Sequence, residues 1–135
     1  MISWRFYEPS DYPLVCEWWN AWKHWQPLPA SALPPRGIIV SVDDIPTMAA
    51  WLYLTDSTFA LIEWFISNPT AKKQRGEALA LLIEQLVLLA ARHGARHVAS
   101  TVRNQHLIRA LKAQGFGGEE ATMTNLVRNI EWQAV

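Results

Sequence analysis

The sequence predicts a single α/β domain in which a mixed sheet carries helices on both faces. Short apolar runs rich in β-branched residues alternate with segments whose apolar residues recur every three or four positions. The chain has 135 residues, the size of one domain, and shows no internal repeat or linker. Strands that alternate with single helices favour a mixed sheet covered by helices.

The first half of the chain predicts one strand, one helix and then three strands. Residues 2–7 alternate in polarity like a half-buried strand. Ser10 and Asp11 suit a helix start, and the helix places five apolar residues on one face: Val15, Trp18, Trp19, Trp22 and Trp25. Four prolines make residues 26–36 an irregular connector. Three strands follow, at residues 37–42, 48–54 and 58–67, with turns at 43–46 and 56–57.

The second half of the chain predicts a helix, a strand, a helix and a last strand. Residues 75–93 repeat leucine at helical spacing, and Gly94 ends that helix. A strand is predicted at 97–102, a shorter helix at 105–114 and a final strand at 123–130.

Composition excludes several classes of protein. Twelve basic and twelve acidic residues balance, which argues against a nucleic-acid-binding surface and against disorder. A single cysteine, Cys16, excludes an internal disulfide and fits a reducing compartment. The chain starts without a signal-peptide pattern and has no apolar segment long enough to span a bilayer. We therefore expect a soluble, cytoplasmic protein that has no membrane contact and no metal site.

The start of the long helix has the features of an anion site. The first amides of a helix lack intrahelical partners, and the helix dipole favours negative charge there. Lys72, Lys73 and Arg75 add positive charge, and Gly76 lets a ligand approach the backbone. The sequence matches neither the P-loop pattern nor the dinucleotide-binding pattern. These residues suit a pyrophosphate, although an ordinary solvated helix start can have the same composition.

Two motifs, taken together, resemble a known superfamily. The segment Lys73-Gln74-Arg75-Gly76-Glu77-Ala78 resembles the acetyl-CoA-binding motif of the GNAT superfamily of N-acetyltransferases. Asn104 before a helix, with Gly115-Phe116 beginning eleven residues later, resembles a second motif of that superfamily. The resemblance covers nearly the whole chain. It implies one domain over residues 1–135, with a mostly antiparallel sheet of six to seven strands, flanked by helices and splayed between strands 58–67 and 97–102.

The resemblance implies acetyl-CoA as a co-substrate. Its pyrophosphate would bind the residues of the first motif: Lys73, Gln74, Arg75, Gly76, Glu77 and Ala78. Its pantetheine arm would lie between the splayed strands and pair with backbone groups near Phe65 and Ile66, as an added strand does. Asn104 would contact the pantetheine, cap the helix that begins at Gln105, or do both.

The implied reaction is direct attack by a primary amine of a small molecule or a protein on the thioester. Glu63, in an apolar strand beside the cleft, is the candidate base, and burial there should raise its pKa. Alternatively, Glu63 faces solvent or pairs with a Lys or Arg. Many members of the superfamily have a proton-donating Tyr where this chain has Leu111. The alternative function is therefore a weak or inactive GNAT-like protein that binds a partner through a tryptophan-rich surface.

Trp22 and Trp25 are the candidate acceptor-binding residues. The resemblance places the first helix and its following loop beside the acceptor, where tryptophans would suit an apolar, aromatic or cationic amine. Simple core packing is the other role, and we expect it for at least two of the four clustered tryptophans. The predicted last strand would offer an edge for a homodimer. If a phage encodes the chain, the relevant compartment is the host cytoplasm.

Overall fold

The computed structural model describes residues 1–22 and 26–118, together with residues 124, 126, 128 and 130. Its strands and helices confirm the predicted α/β class. In chain order they are β1 (Ile2–Phe6), α1 (Tyr12–Ala21), β2 (Gly37–Val42), β3 (Ile45–Leu54), β4 (Phe59–Ser67), α2 (Arg75–Arg92), β5 (His97–Ala99) and α3 (Gln105–Ala113). Short 3-10 turns at Pro9–Asp11 and Ala30–Ala32 interrupt the connections on either side of α1.

The sheet has the strand order β1-β2-β3-β4-β5. The first four strands pair antiparallel with their neighbours, whereas β5 lies parallel to β4. The mostly antiparallel character is as expected, but the implied count of six to seven strands is wrong for the described residues, where five form the sheet. Most of the strand predicted at 123–130 lies outside the described residues.

A two-residue turn explains why β3 starts three residues before its predicted start. Asp43 and Asp44 both have positive φ angles, 51° and 66°. A turn with two left-handed residues matches the twist of the flanking strands, and Asp tolerates this conformation better than most residues. The chain therefore turns within two residues, and Ile45 already pairs with Val42.

The two faces of the sheet carry separate apolar cores. On one face, α2 buries Leu82, Ile83 and Leu86 against the strands. On the other face, α1 buries Trp18 and Trp19, which are 2% and 1% exposed. Core packing is thus confirmed for these two tryptophans. Trp19 stacks on Trp51 of β3 with ring centroids 5.7 Å apart, a contact worth about 1 kcal/mol beyond area burial.

Helix α1 is shorter than predicted. It ends at Ala21, and Trp22 has extended backbone angles (φ −92°, ψ 125°), so the expectation that Trp22 continues the helical face is wrong. The cause is a tertiary contact, because the indole N–H of Trp22 donates to the carbonyl oxygen of Ser67 at 2.9 Å. Trp25 lies outside the described residues.

Within the described part of the chain, none of the helices is both long enough and apolar enough to cross a membrane.

Candidate active site

The cleft begins where β4 and β5 separate. Their parallel pairing covers only Phe59 to Leu61 on β4 and His97 to Ala99 on β5. Strand β4 then continues to Ser67, whereas β5 stops at Ala99 and not at the predicted residue 102. The described part of the chain therefore places no strand beside the second half of β4 on that side. A crevice at the carboxyl ends of neighbouring parallel strands is a common ligand site in α/β folds.

A β-bulge lies in β4 at the same level as this gap. Trp51 pairs with Glu63, and Ala49 pairs with Ile66, so two residues of β4, Trp64 and Phe65, oppose the single residue Ala50. Trp64 has a φ of 63°, a left-handed conformation that is rare for an aromatic residue. Bulges interrupt the ladder of strand hydrogen bonds and re-aim side chains. Of the two residues that the resemblance assigns to pantetheine binding, Phe65 belongs to this bulge and Ile66 follows it directly.

Glu63 bridges the start of the gap. Its Oε1 accepts a hydrogen bond from the backbone N–H of Thr101, at 3.0 Å, two residues beyond the end of β5. Burial raises the pKa of Glu63, and the hydrogen bond from Thr101 partly opposes that rise. The predicted direction of the pKa shift is confirmed. The partner of Glu63 is a backbone amide. It is neither the solvent nor the Lys or Arg side chain that the sequence offered as alternatives.

The start of α2 exposes unpaired amides at the same end of the sheet. The first intrahelical bond runs from the N–H of Ala78 to the carbonyl oxygen of Gln74, at 3.0 Å. The N–H groups of residues 75–77 precede that bond, so the helix itself gives them no acceptor. A Cβ added at Gly76 would meet no atom within 4 Å, and the missing side chain therefore leaves open surface over these amides. Gln74, the residue that precedes the first turn of α2, has left-handed backbone angles (φ 52°, ψ 36°).

The cations beside this helix start have different roles. The guanidinium of Arg75 donates to the carbonyl oxygens of Ala71 and Asn68, at 2.8 and 2.7 Å, and so closes the loop that precedes α2. The ammonium of Lys73 contacts the carboxylate of Asp43 in the β2–β3 turn, at 2.6 Å. Arg75 therefore stabilises the loop before α2 through bonds to its backbone, whereas the side chain of Lys73 is exposed on the surface.

Asn104 caps α3, as expected for one of its two predicted roles. Its Oδ1 accepts hydrogen bonds from the N–H groups of His106 and Leu107, at 2.9 and 3.1 Å. Leu111 on the same helix is 4% exposed and belongs to the apolar core on the α2 side. The position at which the resemblance expects a proton donor is thus a core position.

Aromatic side chains lie near β4 on the α1 side of the sheet. Trp22, held on Ser67, is 36% exposed, and Trp64 and Tyr53 are half-buried in the α1-side core. The hydroxyl of Tyr53 donates to the carbonyl oxygen of Ala32 and holds the connector over the sheet. Burial, together with the nearby charge of Glu63, raises the pKa of Tyr53 to about 12, so this hydroxyl stays a neutral donor.

Three features of the site were missed by sequence reasoning. Thr101 positions Glu63, Trp64 forms the bulge, and Ser100 has a buried hydroxyl that finds no partner among the described residues. No local signal distinguishes these residues, because each role depends on strands that are distant in sequence.

Comparison with known proteins identifies the fold. No family model matches the sequence, and neither does any curated protein. Solved structures do match: the ribosomal-protein-S18-alanine N-acetyltransferase of Escherichia coli aligns with a TM-score of 0.70 and 16% identity over 87% of this chain and 78% of that chain. The chain has the GNAT acetyltransferase fold.

Two further GNAT structures align at similar levels. YncA of Salmonella typhimurium, a putative acetyltransferase determined with its cofactor acetyl-CoA, gives a TM-score of 0.67 at 16% identity, over 86% of this chain and 79% of that chain. The diaminobutyrate acetyltransferase EctA of Paenibacillus lautus, in complex with L-2,4-diaminobutyric acid and coenzyme A, gives 0.66 at 12%, over 84% and 74%. At these identities the GNAT likeness concerns the fold.

The raised pKa of Glu63 predicts a pH-dependent gain in stability for Glu63→Gln. A carboxyl whose pKa is higher in the folded state stabilises the fold below its unfolded pKa, and this contribution is lost as pH rises through the folded pKa. Glutamine keeps an oxygen acceptor for Thr101 but carries no charge. We expect the variant to melt a few degrees above the wild type at pH 7, with a difference that shrinks toward pH 4.

Thermal unfolding followed by circular dichroism between pH 4 and pH 8 measures this difference. Glu84→Gln, on the exposed side of α2, is the matched control and should melt with the wild type at every pH. A Glu63→Gln variant that is less stable than the wild type at pH 7 would contradict the conclusion that partial burial of the Glu63 carboxylate destabilises its charged form.

Proposed function

We propose that this protein is an acetyl-CoA-dependent N-acetyltransferase that acts on a primary amine of a small molecule or a protein. The observation that carries the proposal is the arrangement of two binding elements on one continuous segment. Strand β4 loses its neighbour after Leu61, and the unpaired amides of α2 follow within the same end of the sheet. An extended arm and a pyrophosphate are the two parts of coenzyme A that these elements suit.

The cofactor-binding residues follow from this arrangement. The pyrophosphate would accept hydrogen bonds from the amides of residues 75–77, with Gly76 leaving room for its oxygens. The amides of pantetheine would pair with backbone groups of Phe65 and Ile66 in the gap. Asn104, which follows β5 in the chain and caps α3 with its side-chain oxygen, would contact the arm from the other side of the gap. YncA, determined with acetyl-CoA, supports this choice of co-substrate.

The chemistry requires a base near the thioester. The acceptor ammonium loses a proton to Glu63, directly or through water, and the neutral amine attacks the carbonyl carbon. The new C–N bond forms, the C–S bond breaks, and the nitrogen loses its second proton to water. The departing thiolate then takes a proton from water, because Leu111 cannot donate one. A carboxylate whose pKa is raised is a better base at neutral pH than an exposed one.

The walls of the cleft favour an amine carried on an apolar or aromatic body. Trp64 follows Glu63 in β4, the charge of Glu63 acts on Tyr53, and Trp22 is bonded to Ser67 at the end of the same strand. A protonated amine would be attracted both to such rings and to the carboxylate. Neighbours of the same fold are named for acting on a protein alanine and on diaminobutyrate, so both protein and small-molecule amines fit the proposal.

Gly76→Glu tests the cofactor site. The new carboxylate would stand over the amides of residues 75–77 and repel phosphate, so we expect binding of acetyl-CoA to fall at least a hundredfold, measured by titration calorimetry. Ala91→Glu adds the same charge on the exposed side of α2, about 22 Å along the helix, and should bind like the wild type. If Gly76→Glu and the wild type bind acetyl-CoA with equal affinity, the pyrophosphate does not bind at this position.

Glu63→Gln tests the chemistry. Release of the coenzyme A thiol from acetyl-CoA is followed with a panel of aromatic, aliphatic and peptide N-terminal amines. With the accepted amine, we expect the variant to lose about a hundredfold in kcat with little change in acetyl-CoA affinity, and to lose the acid limb of the pH profile. The wild-type limb should lie above pH 4.5, since burial raises the pKa of Glu63.

Glu84→Gln again serves as the control and should retain the wild-type rate and pH profile. Binding of acetyl-CoA without thiol release for any amine would favour the alternative function, a weak or inactive GNAT-like protein that engages a partner.

A further inference from the structure

The turn between β2 and β3 lies beside the proposed pyrophosphate site. Asn68, which opens the loop before α2, donates from its N–H to the carbonyl oxygen of Thr47 at 2.8 Å and from its side chain to that of Pro46 at 3.0 Å. At the other end of the loop, Lys73 reaches Asp43 in the turn. One end of the loop that leads into α2 is therefore attached to the start of β3, and the other end is attached to the turn just before it.

The contact between Lys73 and Asp43 is a close but exposed ion pair. The ammonium nitrogen lies 2.6 Å from Oδ2 of Asp43, and the two side chains are 71% and 44% exposed. Asp43 also accepts a hydrogen bond from the N-terminal ammonium of Met1 through Oδ1. Lys73 and the N-terminal ammonium lower the pKa of Asp43 to about 2, so the carboxylate is charged at any working pH.

This ion pair involves Lys73, the lysine of the motif that resembles an acetyl-CoA-binding site. Arg75 is directed into the loop by its bonds to Ala71 and Asn68, so its guanidinium is already occupied. Lys73 is held by a single carboxylate on the surface, where an ion pair is weak and exchanges partners readily. A phosphate that binds at α2 must either displace Asp43 from Lys73 or share the lysine with it. In both cases a carboxylate remains next to the bound anion and repels it.

We propose that Asp43 competes with the cofactor phosphates for Lys73 and thereby lowers the affinity of the site for coenzyme A and its thioesters. The proposal rests on the proposed function, because it assumes that the start of α2 binds pyrophosphate. Asp43 acts through Lys73 and is a positioning residue. It limits the retention of product coenzyme A as well as the binding of acetyl-CoA, since both carry the same phosphates.

The neighbouring residue provides a matched control. Asp44 lies in the same turn, also has a positive φ, and carries the same charge, but forms no ion pair in the described structure. Asparagine tolerates the left-handed conformation at both positions. Asp43→Asn and Asp44→Asn therefore make the same chemical change in the same turn, and only the first removes the partner of Lys73.

The experiment is titration calorimetry of acetyl-CoA and coenzyme A into wild type, Asp43→Asn, Asp44→Asn, Lys73→Met and the double variant Asp43→Asn/Lys73→Met. We expect Asp43→Asn to tighten both Kd values about threefold to tenfold and Asp44→Asn to change them by less than about twofold. In the Lys73→Met background, Asp43→Asn should give a clearly smaller gain. Pantetheine, which lacks the phosphates, should not distinguish the variants.

Each other result has a definite meaning. Equal tightening in Asp43→Asn and Asp44→Asn would show a general charge effect and overturn the inference while leaving the proposed function intact. Weaker binding in Asp43→Asn would also overturn it, because Asp43 would then orient Lys73 toward the phosphate. If none of the five proteins binds acetyl-CoA at millimolar concentration, the proposed function fails and the inference fails with it. Melting temperatures confirm that each variant is folded.

Discussion

The separation of β4 from β5 after three residue pairs determines the rest of the site. Backbone N–H and C=O groups inside a protein must be paired, and a strand that loses its neighbour leaves a row of them available. In this chain the row lies along the second half of β4, beyond the end of β5, where a polar extended ligand can pair with it. The bond between Glu63 and Thr101 crosses the gap where it starts, and thus places a half-buried carboxylate at its narrow end.

Helix α2 follows this strand with only a short loop between them, and the loop is rigid for identifiable reasons. Arg75 closes it on Asn68 and Ala71, and Asn68 attaches it to the start of β3. A loop held in this way pays little ordering entropy when a ligand binds. In the proposed site, the amides at the start of α2 would supply preorganised attraction for an anion, while Asp43 would weaken the attraction that Lys73 exerts. These separate groups would then set the balance between binding and release of coenzyme A.

Much of this fold could be predicted because the decisive signals are local. The leucine repeat and Gly94 define α2, and Asn104 caps α3 through atoms two and three residues away. The motif at residues 73–78 locates the exposed amides because a helix start is a local feature. The two buried tryptophans of α1 also follow from helical periodicity.

The remainder could not be predicted because it depends on contacts between distant segments. The bulge at Trp64 arises from pairing with β3, the early end of α1 from the bond of Trp22 to Ser67, and the role of Asp43 from an ion pair thirty residues along the chain. Propensity carries no information about such pairings. For the same reason, sequence patterns placed Glu63 in the cleft but could not name Thr101 as its partner.

The central claim is that the gap beside β4 and the start of α2 together hold one extended, phosphate-bearing ligand. An NMR titration of the ¹⁵N-labelled protein with acetyl-CoA tests it directly, because every backbone amide reports separately. We expect the amide signals of Phe65, Ile66, Gly76, Glu77 and Thr101 to shift together with one affinity, while those of β1 stay in place. Saturating acetyl-CoA that leaves these amides unchanged, or that shifts only residues remote from the gap, would contradict it.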